Sequence, residues 1–124
     1  MEEFIDNQYM LVFKENDILT LSWKENTVNF TDVDFKEEAI KFINVVQSQN
    51  SLKIIVDMRK FGYSLSDDVL SWRKENIISM YNKIKVEKFA FISDKPTVKQ
   101  DNPDNTFVTK SFSSEQEAKN WINS

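Results

Sequence analysis

Apolar and polar positions alternate in two short runs near the start of the chain, Tyr9 to Lys14 and Ile18 to Trp23, parted by Glu15-Asn16-Asp17. A period of two predicts two strands joined by a hairpin loop. In the second run Ile18, Thr20 and Ser22 alternate with Leu19, Leu21 and Trp23, as in a half-buried strand. The period then becomes helical: Phe35, Ala39, Phe42, Ile43 and Val46 share one face, and Lys36, Glu37, Glu38 and Lys41 fall on the other. Two starts fit this helix. Thr31 can cap it with Phe30 and Phe35 as a staple, or Asp34 can cap it with Glu37 as capping-box partner.

Leu52-Lys53-Ile54-Ile55-Val56-Asp57 carries apolar residues on both faces, as expected of a central strand covered by helices on either side. From Ser66 to about Ile84, the residues Val69, Leu70, Ile77, Met80, Tyr81 and Ile84 predict a long second helix. Ser66 is placed as N-cap, and Asp67 and Asp68 suit the positive end of the dipole. Lys88 to Ser93 repeats the buried-strand pattern, and Thr106 to Phe112 reads as a last, more exposed strand. Ser113 to Ile122 carries a capping box (Ser114, Glu117) and the apolar set Ala118, Trp121 and Ile122 of a short closing helix. The order β-β-α-β-α-β-β-α predicts one α/β domain over residues 1–124. Its sheet is expected to be mixed, mostly parallel and of about five strands, flanked by helices, with the first hairpin as an antiparallel edge.

Composition narrows the chemistry. Forty per cent hydrophobic and 13% aromatic residues, among them ten Phe and three Trp, supply one core without disulfide or metal staples. A single glycine, Gly62, and two prolines leave nothing from which to build a glycine-rich phosphate cradle. Cysteine and histidine are absent, which removes thiolate nucleophiles, Cys/His zinc sites and histidine acid–base catalysis, so neither a catalytic set nor a metal or cofactor is expected. A net charge of −4 disfavours nucleic acid as a partner. The acidic start, Met1 to Asp6, is unlike a signal peptide, and no apolar run approaches the ~20 residues of a membrane span. A cytoplasmic location is the expectation.

Ile55-Val56-Asp57-Met58-Arg59-Lys60-Phe61, the following helix, Phe89-Ala90-Phe91-Ile92-Ser93 and the terminal Phe112-Ser113-Ser114-Glu115-Gln116-Glu117-Ala118-Lys119-Asn120-Trp121-Ile122 together resemble the SpoIIAA-like small-domain family of the STAS fold. There a V-D-L-R-type strand end and an F-x-x-x-x-E-A-x-x-W-L/I helix recur. The resemblance implies a mixed sheet of about five strands, usually no intrinsic enzyme activity, and a role in binding proteins or small ligands. Relatives of the architecture include anti-sigma-factor antagonists switched by serine phosphorylation and lipid-binding domains. One departure stands out: Asp94 to Asn105 is short and polar where the family commonly has a helix, which leaves the direction of the last strand open.

In parallel sheets the ligand crevice lies beyond the carboxyl ends of the strands. That edge is expected to hold Asp57, Arg59, Ser64, Ser66, Ser93, Asp94 and Lys95. Asp57 and Arg59, two apart at a strand end, can form an ion pair or present a guanidinium to an anion; otherwise Asp57 caps local backbone and Arg59 is a solvated charge. By the resemblance, Ser66 falls near the phosphorylated serine of the antagonists, though Asp67 and Asp68 would repel a phosphate there and plain N-capping is favoured. Trp72 is the aromatic residue expected to be partly exposed. The leading expectation is a non-enzymatic regulatory or scaffold domain that binds a protein partner through this edge and the second helix. A binder of a lipid or anionic metabolite, with an apolar pocket beside Arg59, is the alternative, and an enzyme the third.

Overall fold

The fold is described from a computed structural model, over residues 1–94 and 103–124. Six strands form one sheet in the order in which they occur along the chain. Strands β1 (Glu2–Asp6), β2 (Met10–Glu15) and β3 (Ile18–Trp23) form an antiparallel meander, and β4 (Lys53–Asp57), β5 (Lys88–Ile92) and β6 (Val108–Phe112) follow β3 in parallel. The sheet is therefore mixed. The strand beyond the expected five is β1, whose Glu2, Glu3 and Asp6 are exposed and give no apolar alternation to read. The direction of the last strand, open in the sequence, is parallel to β5. Most of Asp94 to Asn105 lies outside the described residues.

The β2–β3 turn shows how local chemistry sets register. Asn16 and Asp17 both adopt positive φ, 52° and 65°, as the two-residue turn of a right-twisted hairpin requires. Glu15 then pairs with Ile18, and Val12 faces the same side as Leu19 and Leu21.

Helix α1 (Asp32–Gln49) is capped by Thr31. Its hydroxyl accepts from the Asp34 N–H, while the Asp34 carboxylate accepts from the Thr31 N–H. The first of the two predicted starts is the one used, with Asp34 rather than Glu37 closing the box, and the rings of Phe30 and Phe35 lie 6.4 Å apart as the staple. Asn50 ends the helix in the left-handed conformation. Helix α2 (Asp67–Arg73), capped by Ser66, continues through a π-helical stretch (Lys74–Ile78) into α3 (Ser79–Ile84). Both crossovers pack on one sheet face, where Phe42, Val46, Val69, Ile77 and Tyr81 join Leu19, Ile54 and Phe89 in the main core. Two right-handed connections advancing in one direction place their helices on the same side.

Helix α4 (Glu115–Ile122) covers the opposite face. Ala118 and Ile122 bury against Ile18, Ile55, Ala90 and Ile92. Ser114 caps it and bonds the Glu117 carboxylate at 3.1 Å. Among the described residues no helix is long and apolar enough to cross a membrane.

Candidate functional site

The strand registers put Ser22, Asp57, Ile92 and Phe112 in one row, so the carboxyl ends of β3 to β6 form a level edge. Two recesses open from that end, on opposite faces of the sheet. The predicted edge residues divide between them.

On the α4 face, Asp57, Arg59 and Asp94 line a recess of about 590 Å³ with Lys60, Glu115 and Lys119. Asp57 both pairs with Arg59 and caps local backbone, one half of each alternative. The Arg59 backbone N–H and Nε donate to Asp57 Oδ1 at 3.1 and 3.0 Å, and Nη2 donates to Oδ2 at 2.6 Å. Asp57 thus caps its own loop and holds the guanidinium as a fork. Partial burial pushes the Asp57 carboxyl up, but the hydrogen bonds and charge of Arg59 outweigh it, and the group lies below its ordinary value. A carboxyl depressed in this way stabilises the fold above its unfolded pKa and loses that contribution as pH falls through the folded one. Asp57→Asn is therefore expected to cost about 1 kcal/mol near neutral pH at low salt. The gap to wild type, followed by urea denaturation, should close as pH drops below about 4. A gap that does not change with pH would rule out the ion pair as its source.

Ser64 and Ser66 lie in the segment that leads to α2. The Ser66 hydroxyl accepts from the Val69 N–H and donates to Asp32 Oδ2 at 3.2 Å. Asp32 also accepts from the Tyr63 hydroxyl, whose pKa is pushed up to about 12 by desolvation and by this carboxylate. A phosphate on Ser66 would lose the proton donated to Asp32 and stand against Asp32, Asp67 and Asp68. Ser93 extends the ladder, its N–H donating to the Phe112 carbonyl at 2.9 Å. Lys95 lies outside the described residues. Trp72 is half-buried, with the Lys36 ammonium 5.7 Å from its ring centre.

The second recess is the one that sequence reasoning missed. Between the α1/α2–α3 layer and the sheet lies a cavity of about 180 Å³. Leu21, Val56 and Phe89 form its floor, and Phe35 and Ala39 of α1 one wall. Leu70, Arg73, Ile77 and Tyr81 form the other wall, on the stretch that contains the π-helical turn. Met58, Phe61 and Leu65 close the end from the β4–α2 loop. An apolar pocket was expected beside Arg59; the cation that lines the apolar cavity is Arg73, and Arg59 belongs to the opposite face.

Aromatic packing holds that loop in place. Trp23 lies 5.2 Å from Phe61, and Phe35 stacks on Tyr63 at 5.6 Å. Buried Thr27 pins it from behind, its hydroxyl accepting from the Gly62 N–H at 2.9 Å and donating to the Lys24 carbonyl.

Arg73 is half-buried and makes no ion pair with a described residue. Tyr81 is 2% exposed, its hydroxyl makes no hydrogen bond to a described residue, and burial pushes its pKa up to about 12 against the pull of Arg73. That hydroxyl keeps its proton at neutral pH. A signal for Arg73 was present: it stands four residues from Val69 and from Ile77, inside the apolar stripe where a cation is out of place. Among the described residues no three acidic side chains converge as metal ligands. No family model, curated protein or solved structure matches the chain.

Proposed function

We propose that the chain is a non-enzymatic binding domain of STAS-like layout that takes a small, largely apolar molecule into the cavity between α2–α3 and the sheet. The observation that carries the reading is the cavity itself. A recess walled by apolar side chains and open to solvent leaves that surface wetted, and a largely apolar occupant gains the burial of the area it covers. Here about 180 Å³ stays open at the carboxyl ends of parallel strands, where α/β folds receive ligands. The exposed Leu70 on its wall offers a way in.

The test uses toluene as probe. Toluene is expected to bind saturably, with amide shifts in the NMR spectrum centred on Leu70, Ile77 and Phe89. Ala39→Leu, which pushes a larger side chain into the space, is expected to abolish binding without lowering the melting temperature. Undiminished binding by Ala39→Leu, or none by wild type, would sink the proposal.

A protein partner docked across the strand-end edge and α2 is the second reading. It draws on Leu70, 49% exposed, and half-buried Trp72 on the same helix. It ranks second because Asp57, Arg59 and Ser66 already bond groups within the chain, so a partner would have to replace contacts rather than add them.

A further inference from the structure

From Arg73 and Tyr81 we infer that the cavity's ligand is a small monocarboxylate: one aromatic ring or a short aliphatic body, with its carboxylate held by Arg73 and the Tyr81 hydroxyl. The inference rests on the cavity being a binding site and adds the chemistry of the occupant. Size guides the body, since an apolar cavity of about 150 Å³ accommodates benzene and this recess, at about 180 Å³, takes in a group of about that size.

Polarity guides the head. Three side chains with N–H or O–H groups line an otherwise apolar wall, Trp23, Arg73 and Tyr81; Arg73 and Trp23 can only donate, and Arg73 alone is charged. The guanidinium carries its charge at every accessible pH, and its fork matches the two oxygens of a carboxylate. It has no carboxylate partner among the described residues, whereas Arg59 across the sheet is fully engaged by Asp57. The Tyr81 hydroxyl, on the wall of the same cavity and nine-tenths or more buried, has a proton to donate and no described acceptor. A hydroxyl donor that opens onto an apolar recess, with a cation on the same wall, selects an anion as the group that answers both. A neutral alcohol would satisfy the hydroxyl and leave the charge unanswered. A dianion would bring one negative charge more than the cavity can match.

Benzoate, benzyl alcohol and toluene, which share a ring and differ in the head, separate the possibilities by calorimetric titration at neutral pH. Benzoate is expected to bind at least tenfold more tightly than benzyl alcohol. Arg73→Met, close in volume, is expected to erase that preference while still binding toluene, which reports an intact cavity. Tyr81→Phe should weaken benzoate severalfold and leave toluene unchanged. If benzoate binds no better than benzyl alcohol while toluene binds, or if the preference survives in Arg73→Met, the carboxylate assignment is wrong and the apolar site stands. If none of the three binds to wild type, the site and its occupant fall together.

Discussion

Gly62→Ala is expected to lower stability by about 1–3 kcal/mol, the range for forcing extra volume into a packed site, although it adds a single methyl group to a loop. A Cβ at this position would stand 3.0 Å from Val28 Cα, 3.1 Å from its Cβ and 3.2 Å from its backbone N. Retreat would have to come from main chain, and that main chain is fixed: Thr27, next to Val28, is fully buried and hydrogen-bonded to Gly62 itself. Here the chain's only glycine serves close approach. The same loop carries Phe61 and Leu65 into the cavity, so a weakened variant should also bind toluene less tightly. Urea denaturation of Gly62→Ala beside Thr27→Val, which keeps the side chain's volume but removes the acceptor of the Gly62 N–H, separates crowding from the lost hydrogen bond. Wild-type stability in Gly62→Ala would show that the Val28 segment yields.

Asn7→Ala is expected to cost about 2–3 kcal/mol, because one side chain satisfies three groups and leaves each of them wanting when it is gone. Asn7 Oδ1 accepts from the Tyr9 and Met10 N–H groups, and Nδ2 donates to Glu38 Oε1 at 2.7 Å. Glu38 is 3% exposed, and its other oxygen accepts from Lys41 at 2.6 Å. A nearly buried carboxylate stripped of one of its two partners is among the costlier defects in a small domain. Glu38→Gln, which keeps an acceptor for Asn7 and loses the charge, should cost clearly less. Equal losses from the two variants would mean that the contact to Lys41, and not the tie between α1 and the β1–β2 turn, carries the energy.

Both residues show where periodicity stops being informative. The α1 stripe was legible because Phe35, Ala39, Phe42, Ile43 and Val46 recur at helical spacing, yet Glu38 shares that side of the helix and was assigned to solvent by its charge. Its burial depends on Asn7, 31 residues away, and a tertiary partner leaves no trace in a local period. Arg73 differs: its place inside the apolar stripe of the second helix was a local signal, and it was passed over. Strands β2 to β5 and the principal helices could be read because each buries an apolar face, and β6 from its β-rich run, whereas β1 is an edge whose Glu2, Glu3 and Asp6 break the pattern. Asp57, Arg59 and Ser66, named together as one edge, do not share one surface. A strand end has two faces, and linear sequence does not say which face each loop residue turns to.

The π-helical stretch sets the phase of the helix around it. In a regular α-helix, residues eight apart point about 80° away from each other, so Arg73 and Tyr81 would diverge. A turn bonded from i to i+5 absorbs one extra residue, which brings the eighth position round to within about 20° of the first. Lys74–Ile78 lies between the two, and both line one cavity. One residue's worth of winding is thus what turns a scattered cation and phenol into a pair.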